Sequence, residues 1–257
     1  MNVVIGLLLA LAASFSATAS EKTSFRFAYE DKAVMPFFVG DGEEIPAEPG
    51  VSVEMVLRLE KKIPSLNVEL QRCPWKRCLH NLKNGEIDAV VASFRAERMD
   101  IGVFPMKDGK PNPALRMSST GYALYKLKSG QLTWDGQTLT NANGAIGFPR
   151  GYSIGDDLKT LGATVEESGS TLSDMKKLQL RRLDGVAAVE SVGDYLIKQP
   201  SFGDIVKMEP TFPPRDYYLL LSHQFVLKNP ELAQRIWRSM ADIRERDLRE
   251  ILPNYLK

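Results

Sequence analysis

The chain has 257 residues, and its 33 lysine and arginine side chains nearly balance its 32 aspartate and glutamate side chains. This length is sufficient for two compact lobes. The near-neutral balance argues against nucleic acid or an anionic membrane as the partner, since both select strongly basic proteins.

Residues 1–19 have the features of a secretory signal peptide. Residues 3–14 form an apolar run that is too short to cross a bilayer, and the small residues 17–19 suit cleavage before Ser20. No lysine or arginine precedes the run, which departs from the usual signal. Because no cysteine lies near Ser20 to carry a lipid anchor, we expect a soluble protein in the periplasm.

The segment after the signal predicts a strand and then a loop. Phe25, Phe27 and Tyr29 alternate with other residues, as in a strand. Residues 40–50 are polar and rich in Gly and Pro, which is typical of a loop before a helix.

Residues 74–98 are the most informative stretch of the chain. An apolar face recurs at helical spacing, and Gly85 is placed to end this helix with a positive φ. Residues 87–92 then form an apolar, β-branched run typical of a parallel strand that is covered on both faces. Ser93 and Arg98 follow this strand directly. Because ligands of open α/β sheets bind beyond the carboxyl ends of the strands, both residues are placed to grip a small molecule.

Cys73 and Cys78 are the two cysteines of the chain. An even number at short spacing in an exported protein indicates a disulfide. Residues five apart in a regular helix are about 8 Å apart at Cα, which is beyond bridging range. Cys73 therefore has to lie outside the helix if the bond forms, and the alternative is a pair of unreactive core thiols.

The rest of the chain predicts a second unit inserted into the first. Residues 118–127 have the pattern of a strand that crosses to a second lobe, and residues 145–205 alternate strands and helices of their own. Residues 210–218 return, and a last helix beginning at residues 229–230 packs onto the first lobe. The predicted boundaries are residues 1–19 for the signal peptide, 20–118 and 217–257 for lobe 1, and 119–216 for lobe 2.

In order and spacing, these segments resemble the periplasmic solute-binding proteins of the polar amino acid transporter type (bacterial extracellular solute-binding protein family 3). The resemblance lies in residues 85–98 with the following Phe104 and Pro105, and in segments 27–37, 49–62, 147–153 and 217–252. It implies an α/β, type 2 periplasmic-binding-protein fold: two lobes, each a mostly parallel sheet flanked by helices, joined by two hinge strands.

The resemblance also implies roles for particular residues. Arg98 would pair with a ligand carboxylate and Ser93 would add a hydroxyl, whereas the residues alone favour an exposed Arg98 paired with Glu97 or Asp100. A helix start at Ser153 would hold an anionic group, unless this serine is an ordinary helix cap. The aromatic residues that fall where the family builds its pocket walls, or that are simply core, are Tyr29, Phe37, Trp75 and Tyr152.

Two positions depart from the family pattern. Val34 stands where an aromatic residue is usual, and the simplest alignment places Val189 where an acid usually meets the α-ammonium of the ligand. Glu190 follows one residue later, and a one-residue offset at a strand end changes the face that is presented. Glu190 is therefore a candidate ligand residue, and the sequence leaves the existence of an ammonium site undecided.

These features predict a binding protein and not an enzyme. We expect it to close over a small carboxylate-bearing solute, an amino acid or a related compound, and to deliver it to an ABC permease or a membrane sensor. His80 and His223 lack metal-ligand spacing, and the common catalytic motifs are absent, so we expect no cofactor and no metal. We also expect a monomer. The alternatives are a cleft dehydratase of small cyclic carboxylates, with Glu190 as general acid, and a degenerate sensor or interaction domain.

Overall fold

The computed structural model describes residues 22–255, so the predicted signal peptide, residues 1–19, lies outside the described residues. In chain order the strands are β1 (Thr23–Glu30), β2 (Leu66–Cys73), β3 (Ala89–Ser93), β4 (Met106–Lys107), β5 (Lys110–Pro111), β6 (Ser118–Thr120), β7 (Tyr122–Leu127), β8 (Thr133–Trp134), β9 (Leu139–Thr140), β10 (Ile146–Pro149), β11 (Val165–Ser168), β12 (Gly185–Val189), β13 (Ile205–Lys207) and β14 (Arg215–Leu221). The α-helices are α1 (Val51–Leu57), α2 (Leu59–Lys62), α3 (Trp75–Asn84), α4 (Ile154–Thr160), α5 (Thr171–Gln179), α6 (Glu190–Ile197), α7 (His223–Lys228), α8 (Pro230–Arg246) and α9 (Leu248–Ile251).

The two large sheets share one topology. The first has the order β2-β1-β3-β14-β6 and the second has the order β11-β10-β12-β7-β13. In the first sheet β1 is parallel to β2 and β3, while β14 is antiparallel to both of its neighbours. In the second, β10 is parallel to β11 and β12, while β7 is antiparallel to both of its neighbours. Each sheet is therefore mostly parallel, with a single reversed strand.

The chain passes between the sheets twice. The first sheet ends its first pass at β6, and β7 begins the second sheet after the single residue Gly121. The chain returns between β13 and β14. The second sheet is thus inserted into the first, while the predicted lobe boundaries at 118/119 and 216/217, which lie within a few residues of these crossings, stay a prediction.

Local sequence signals account for the segment that leads to the cleft. Helix α3 ends at Gly85, whose φ of 75° is left-handed and favours a residue without Cβ. Strand β3 follows with all five residues buried, as its apolar run predicts. The next residues turn in a short 3₁₀ helix, Ala96–Asp100, which places Arg98 beyond the carboxyl end of β3.

Helix α8 closes the first lobe, as predicted from its apolar face. Ile236, Met240 and Ile243 are buried in the core of the first lobe, and Trp237 packs beside them. The indole N–H of Trp237 donates to the carbonyl of Leu219 at 2.8 Å, which ties the helix to β14. Within residues 22–255, no helix combines the length and the apolar character that crossing a membrane requires.

Candidate functional site

A cavity lies between the two sheets, at the ends of strands from both. It encloses about 600 Å³, including the part that opens to solvent. Its wall combines an aromatic and aliphatic surface with several hydroxyls, one acidic side chain, Glu30, and one basic side chain, Arg98. The lining residues are Glu30, Val34, Phe37, Phe38, Ser52, Trp75, Val91, Ala92, Ser93, Arg98, Ser118, Thr120, Tyr122, Tyr152, Val189 and Tyr217.

Arg98 is the cation of this cavity. Its side chain is buried, with the residue 9% exposed, and one guanidinium nitrogen donates to the carbonyl oxygen and to Oγ of Ser93, at 2.9 and 2.8 Å. The guanidinium carbon lies 5.8 Å from the ring centre of Trp75. Burial lowers the pKa of Arg98, although an arginine stays charged at physiological pH. Among the described residues, no acidic side chain forms an ion pair with Arg98, whereas the neighbouring Arg95 and Arg215 both pair with Asp157.

Glu30 is the acid of this cavity. It ends β1, is only 7% exposed, and accepts a hydrogen bond from the Tyr152 hydroxyl at 2.6 Å. Burial raises the pKa of Glu30 to about 7, and the Tyr152 hydrogen bond opposes this rise in part. Because Glu30 belongs to the first sheet and Tyr152 follows β10 of the second, this bond also joins the lobes.

Three tyrosines supply neutral hydroxyls to the wall. Tyr122, Tyr152 and Tyr217 all line the cavity, and burial is the main cause that raises the pKa of each. These phenols therefore stay protonated near neutral pH and serve as hydrogen-bond donors or acceptors. The rings of Tyr122 and Tyr152 lie 6.4 Å apart in an edge-to-face arrangement.

Polar contacts around the cavity hold the lobes together. Arg95 donates to the Ser153 carbonyl and to Oδ2 of Asp157, both at 2.7 Å, and Arg215 donates to the same carboxylate oxygen at 3.0 Å. Lys76 pairs with Glu167 at 3.1 Å. The structure is therefore a closed arrangement, in which the described lobes touch on several sides of the cavity.

The structure brings five of the predicted ligand residues together in the cavity wall: Arg98, Ser93, Trp75, Tyr152 and Phe37. The other three lie outside the wall. Tyr29 is buried in the first lobe, where its ring packs against Phe27 and Phe38 and beneath Arg72. Ser153 is the buried residue before α4, and its backbone carbonyl accepts the Arg95 bond. Glu190 begins α6, where its carboxylate pairs with Lys207 at 2.9 Å.

Sequence reasoning missed several residues of the wall, and the sheet register shows the signal that could have found them. Tyr217 is paired with Ser93 across β14 and β3, and Tyr122 is paired with Val189 across β7 and β12. Each tyrosine therefore stands beside the carboxyl end of a parallel strand, where ligands bind. Glu30 occupies the corresponding end of β1.

Cys73 and Cys78 form a disulfide with Cα atoms 5.7 Å apart. Cys73 is the last residue of β2 and Cys78 lies in α3, so the first cysteine is outside the helix, as the geometric argument requires. The bond encloses the turn that carries Trp75 and so fixes one part of the cavity wall.

Neither histidine takes part in a metal-binding cluster. Within the described residues, no group of three or more His, Cys, Asp or Glu side chains is arranged to hold a metal ion. His80 bonds to Asn84 at 3.0 Å, and Nε2 of His223 lies 2.9 Å from the Met99 carbonyl oxygen.

No protein-family model matches the chain, and no curated protein matches it. Solved structures do match over nearly the whole chain. A histidine kinase sensor domain with similarity to periplasmic binding proteins has a TM-score of 0.72 and 14% identity, and covers 92% of this chain and 97% of its own. An ancestral arginine-binding protein bound to arginine has a TM-score of 0.71 and 17% identity, over 91% of this chain and 98% of its own.

A third match is an ancestral amino acid-binding protein that is a precursor of cyclohexadienyl dehydratase, with a TM-score of 0.69 and 14% identity over 91% of this chain and 96% of its own. These TM-scores establish the fold alone, because the identities are low, and this fold is the one that the resemblance of the sequence implies. The chain has the two-lobed α/β fold of the periplasmic amino-acid-binding proteins.

Proposed function

We propose that the chain is an exported, monomeric solute-binding protein that closes over a small carboxylate-bearing solute and delivers it to an ABC transporter or a membrane sensor. The single observation that carries the proposal is Arg98. A buried guanidinium without an acidic partner is costly, and a carboxylate from a bound solute would supply the missing partner in the same cavity.

Three further features agree with this role. Ser93 already fixes one edge of the Arg98 guanidinium, so the remaining donors are preorganised. Trp75, Phe37 and the tyrosines offer flat apolar surface to the body of a solute. Two chain crossings, at Gly121 and between β13 and β14, join two sheets that are each complete. This is the arrangement that hinge closure of two rigid lobes requires.

The test is a thermal-shift screen against amino acids, amines and small carboxylates. The full chain is exported by a bacterial host and recovered from its periplasm, and a mass measurement checks the predicted cleavage before Ser20. A ligand at a hundred times its Kd should stabilise the protein by about 2.7 kcal/mol. We expect a carboxylate to stabilise the wild type and Arg98→Ala to lose this effect.

Arg150→Ala is the matched control, because the Arg150 side chain is 64% exposed and does not line the cavity. Loss of the ligand effect in both variants would show a general loss of fold. A well-folded wild type that no carboxylate stabilises would overturn the proposal.

A cleft dehydratase is the second candidate, and Glu30 is the observation that favours it. Its carboxyl lines the cavity with a pKa of about 7, which suits a general acid near neutral pH. Glu190, the acid that the sequence suggested for this role, lies outside the wall. Incubation with small cyclic carboxylates should yield product, and Glu30→Gln should abolish product formation, if this candidate is correct.

A further inference from the structure

The cavity contains one buried acidic and one buried basic side chain, and neither has a counter-ion among the described residues. Arg98 has no acidic partner among the described residues. Glu30 likewise forms no ion pair with a lysine or arginine side chain in that part of the chain. A buried carboxylate without a counter-ion is costly, as a buried guanidinium is, so a cation from the solute would stabilise Glu30 as a carboxylate would stabilise Arg98.

The basic groups near Glu30 are engaged elsewhere. The Arg72 guanidinium, from the neighbouring strand β2, donates to the backbone carbonyl of Glu30 at 3.2 and 3.4 Å and to the carbonyls of Gly40 and Glu44. The other ionisable groups that act on Glu30 are the adjacent Asp31 and Lys32 and, from the second lobe, Tyr152. Of these, only the Tyr152 hydroxyl reaches the carboxylate, and it is neutral.

The second lobe offers no substitute acid in the wall. Val189 ends β12 and lines the cavity, and Glu190 turns away to pair with Lys207. Glu30 is therefore the only acidic residue among those that line this cavity. Since it lies on the first lobe, as Arg98 does, one lobe presents both charges to the solute before closure.

We infer that Glu30 is a ligand-contacting and specificity-determining residue: it accepts a hydrogen bond from a cationic amino group of the same solute whose carboxylate Arg98 holds, so that the solute is a zwitterion. This inference rests on the proposed function. The Tyr152 bond to the same carboxylate then links the site of the solute's amino group to the second lobe, because Tyr152 follows β10 of that lobe.

Proton linkage follows from this arrangement. Burial raises the pKa of Glu30 to about 7 in this closed arrangement without a solute, and a bound cation lowers it. Below about pH 7 the solute therefore has to displace a proton, so its affinity falls as the pH decreases and levels off above pH 8. Binding at pH 6 should release a proton to the buffer, and binding at pH 8.5 should release almost none.

Isothermal titration with matched ligand pairs tests the inference on the exported full chain. Each pair shares a carbon skeleton and a carboxylate, and only one member carries an amino group. We expect the amino member to bind at least tenfold more tightly, and we expect titrations in buffers of different ionisation enthalpy to reveal the released proton at pH 6.

Glu30→Gln and Glu190→Gln separate the two candidate acids. Glu30→Gln should lose at least tenfold in affinity for the amino member, together with the pH dependence and the proton release, while the amine-free member loses less. If Glu190→Gln has these effects instead, the inference is overturned and Glu190 is the acid.

The remaining outcomes distinguish this inference from the proposed function. If the amine-free member binds as tightly as its partner and Arg98→Ala abolishes the binding of both, the inference of a zwitterionic solute is wrong. The proposed function as a binding protein is then still supported. If a folded protein binds no member of any pair, both proposals are overturned. Circular dichroism of each variant confirms that a lost affinity is not a lost fold.

Discussion

The ion-pair node at Asp157 is expected to control how completely the lobes close. Its Oδ2 accepts hydrogen bonds from Arg95, which follows β3, at 2.7 Å and from Arg215, the first residue of β14, at 3.0 Å, so both bonds connect α4 with segments of the first sheet. The substitution Asp157→Asn removes the charge while it keeps the size of the side chain. The closed state should then lose stability relative to the open state, because two cations at the boundary lose their shared anion.

The magnitude follows from the burial of the three side chains. A hydrogen bond to a charged group is worth about 1.5–3 kcal/mol, and the side chains of Arg95 and Asp157 are 18% and 23% exposed. We take about 1.5 kcal/mol for that pair. Arg215 is 36% exposed, so its pair adds about 0.5 kcal/mol. A total of about 2 kcal/mol corresponds to a loss of about 30-fold in the ratio of closed to open molecules.

Small-angle scattering and ligand titration measure this loss. Asp157→Asn should increase the radius of gyration without ligand and weaken solute binding by up to about 30-fold, since only the closed state buries the solute. The matched control is Asp156→Asn, whose exposed side chain is adjacent in sequence but takes no part in the node. If Asp157→Asn leaves the radius of gyration unchanged and the solute affinity within twofold of the wild type, the node does not govern closure.

Two further predictions concern stability. Asp174 is fully buried and neither carboxylate oxygen has a hydrogen-bond partner, so burial raises its pKa from 3.8 to about 7. At 1.36 kcal/mol per pKa unit, the ionised form costs the folded state about 4 kcal/mol above pH 7 and almost nothing below pH 4. Asp174→Asn should therefore unfold at higher urea concentration than the wild type at pH 8 but not at pH 3.5, and coincident curves at pH 8 would contradict this account. Reduction of the bond between Cys73 and Cys78 should lower the free energy of unfolding by about 2 kcal/mol, since the closed loop is short; a Cys73→Ser, Cys78→Ser double variant that is insensitive to reductant is its control.

The sequence predicts those parts of the site that depend on local signals. The helix that ends at Gly85 and the buried strand after it place Arg98 and Ser93 by rules that act within about 25 residues. The two-lobed fold is implied by the resemblance of the segments, in their order and spacing, to the periplasmic solute-binding proteins. These are the features in which sequence and structure agree.

The remaining parts depend on which side of a strand end faces the cleft. Tyr29 and Glu30 are adjacent in β1, and successive side chains of a strand point to opposite faces. Tyr29 enters the core of the first lobe, so Glu30 takes the position in the wall that the sequence assigned to its neighbour. A similar one-residue offset separates Val189, which ends β12 and lines the cavity, from Glu190, which begins α6 and pairs with Lys207. A register that differs by one residue is thus sufficient to exchange a core residue for a ligand residue.

The hinge strands also form part of the cavity wall, which couples closure to the ligand. Tyr122 directly follows the crossing at Gly121, and Tyr217 is the third residue of β14, after the return crossing. Residues this close to a hinge move little when the lobes rotate, whereas Tyr152, on the loop after β10, moves with the second lobe. We therefore expect Arg98 and Glu30 to engage a solute first and Tyr152 to join when the lobes close, so that Tyr152→Phe should accelerate solute release more than it slows association.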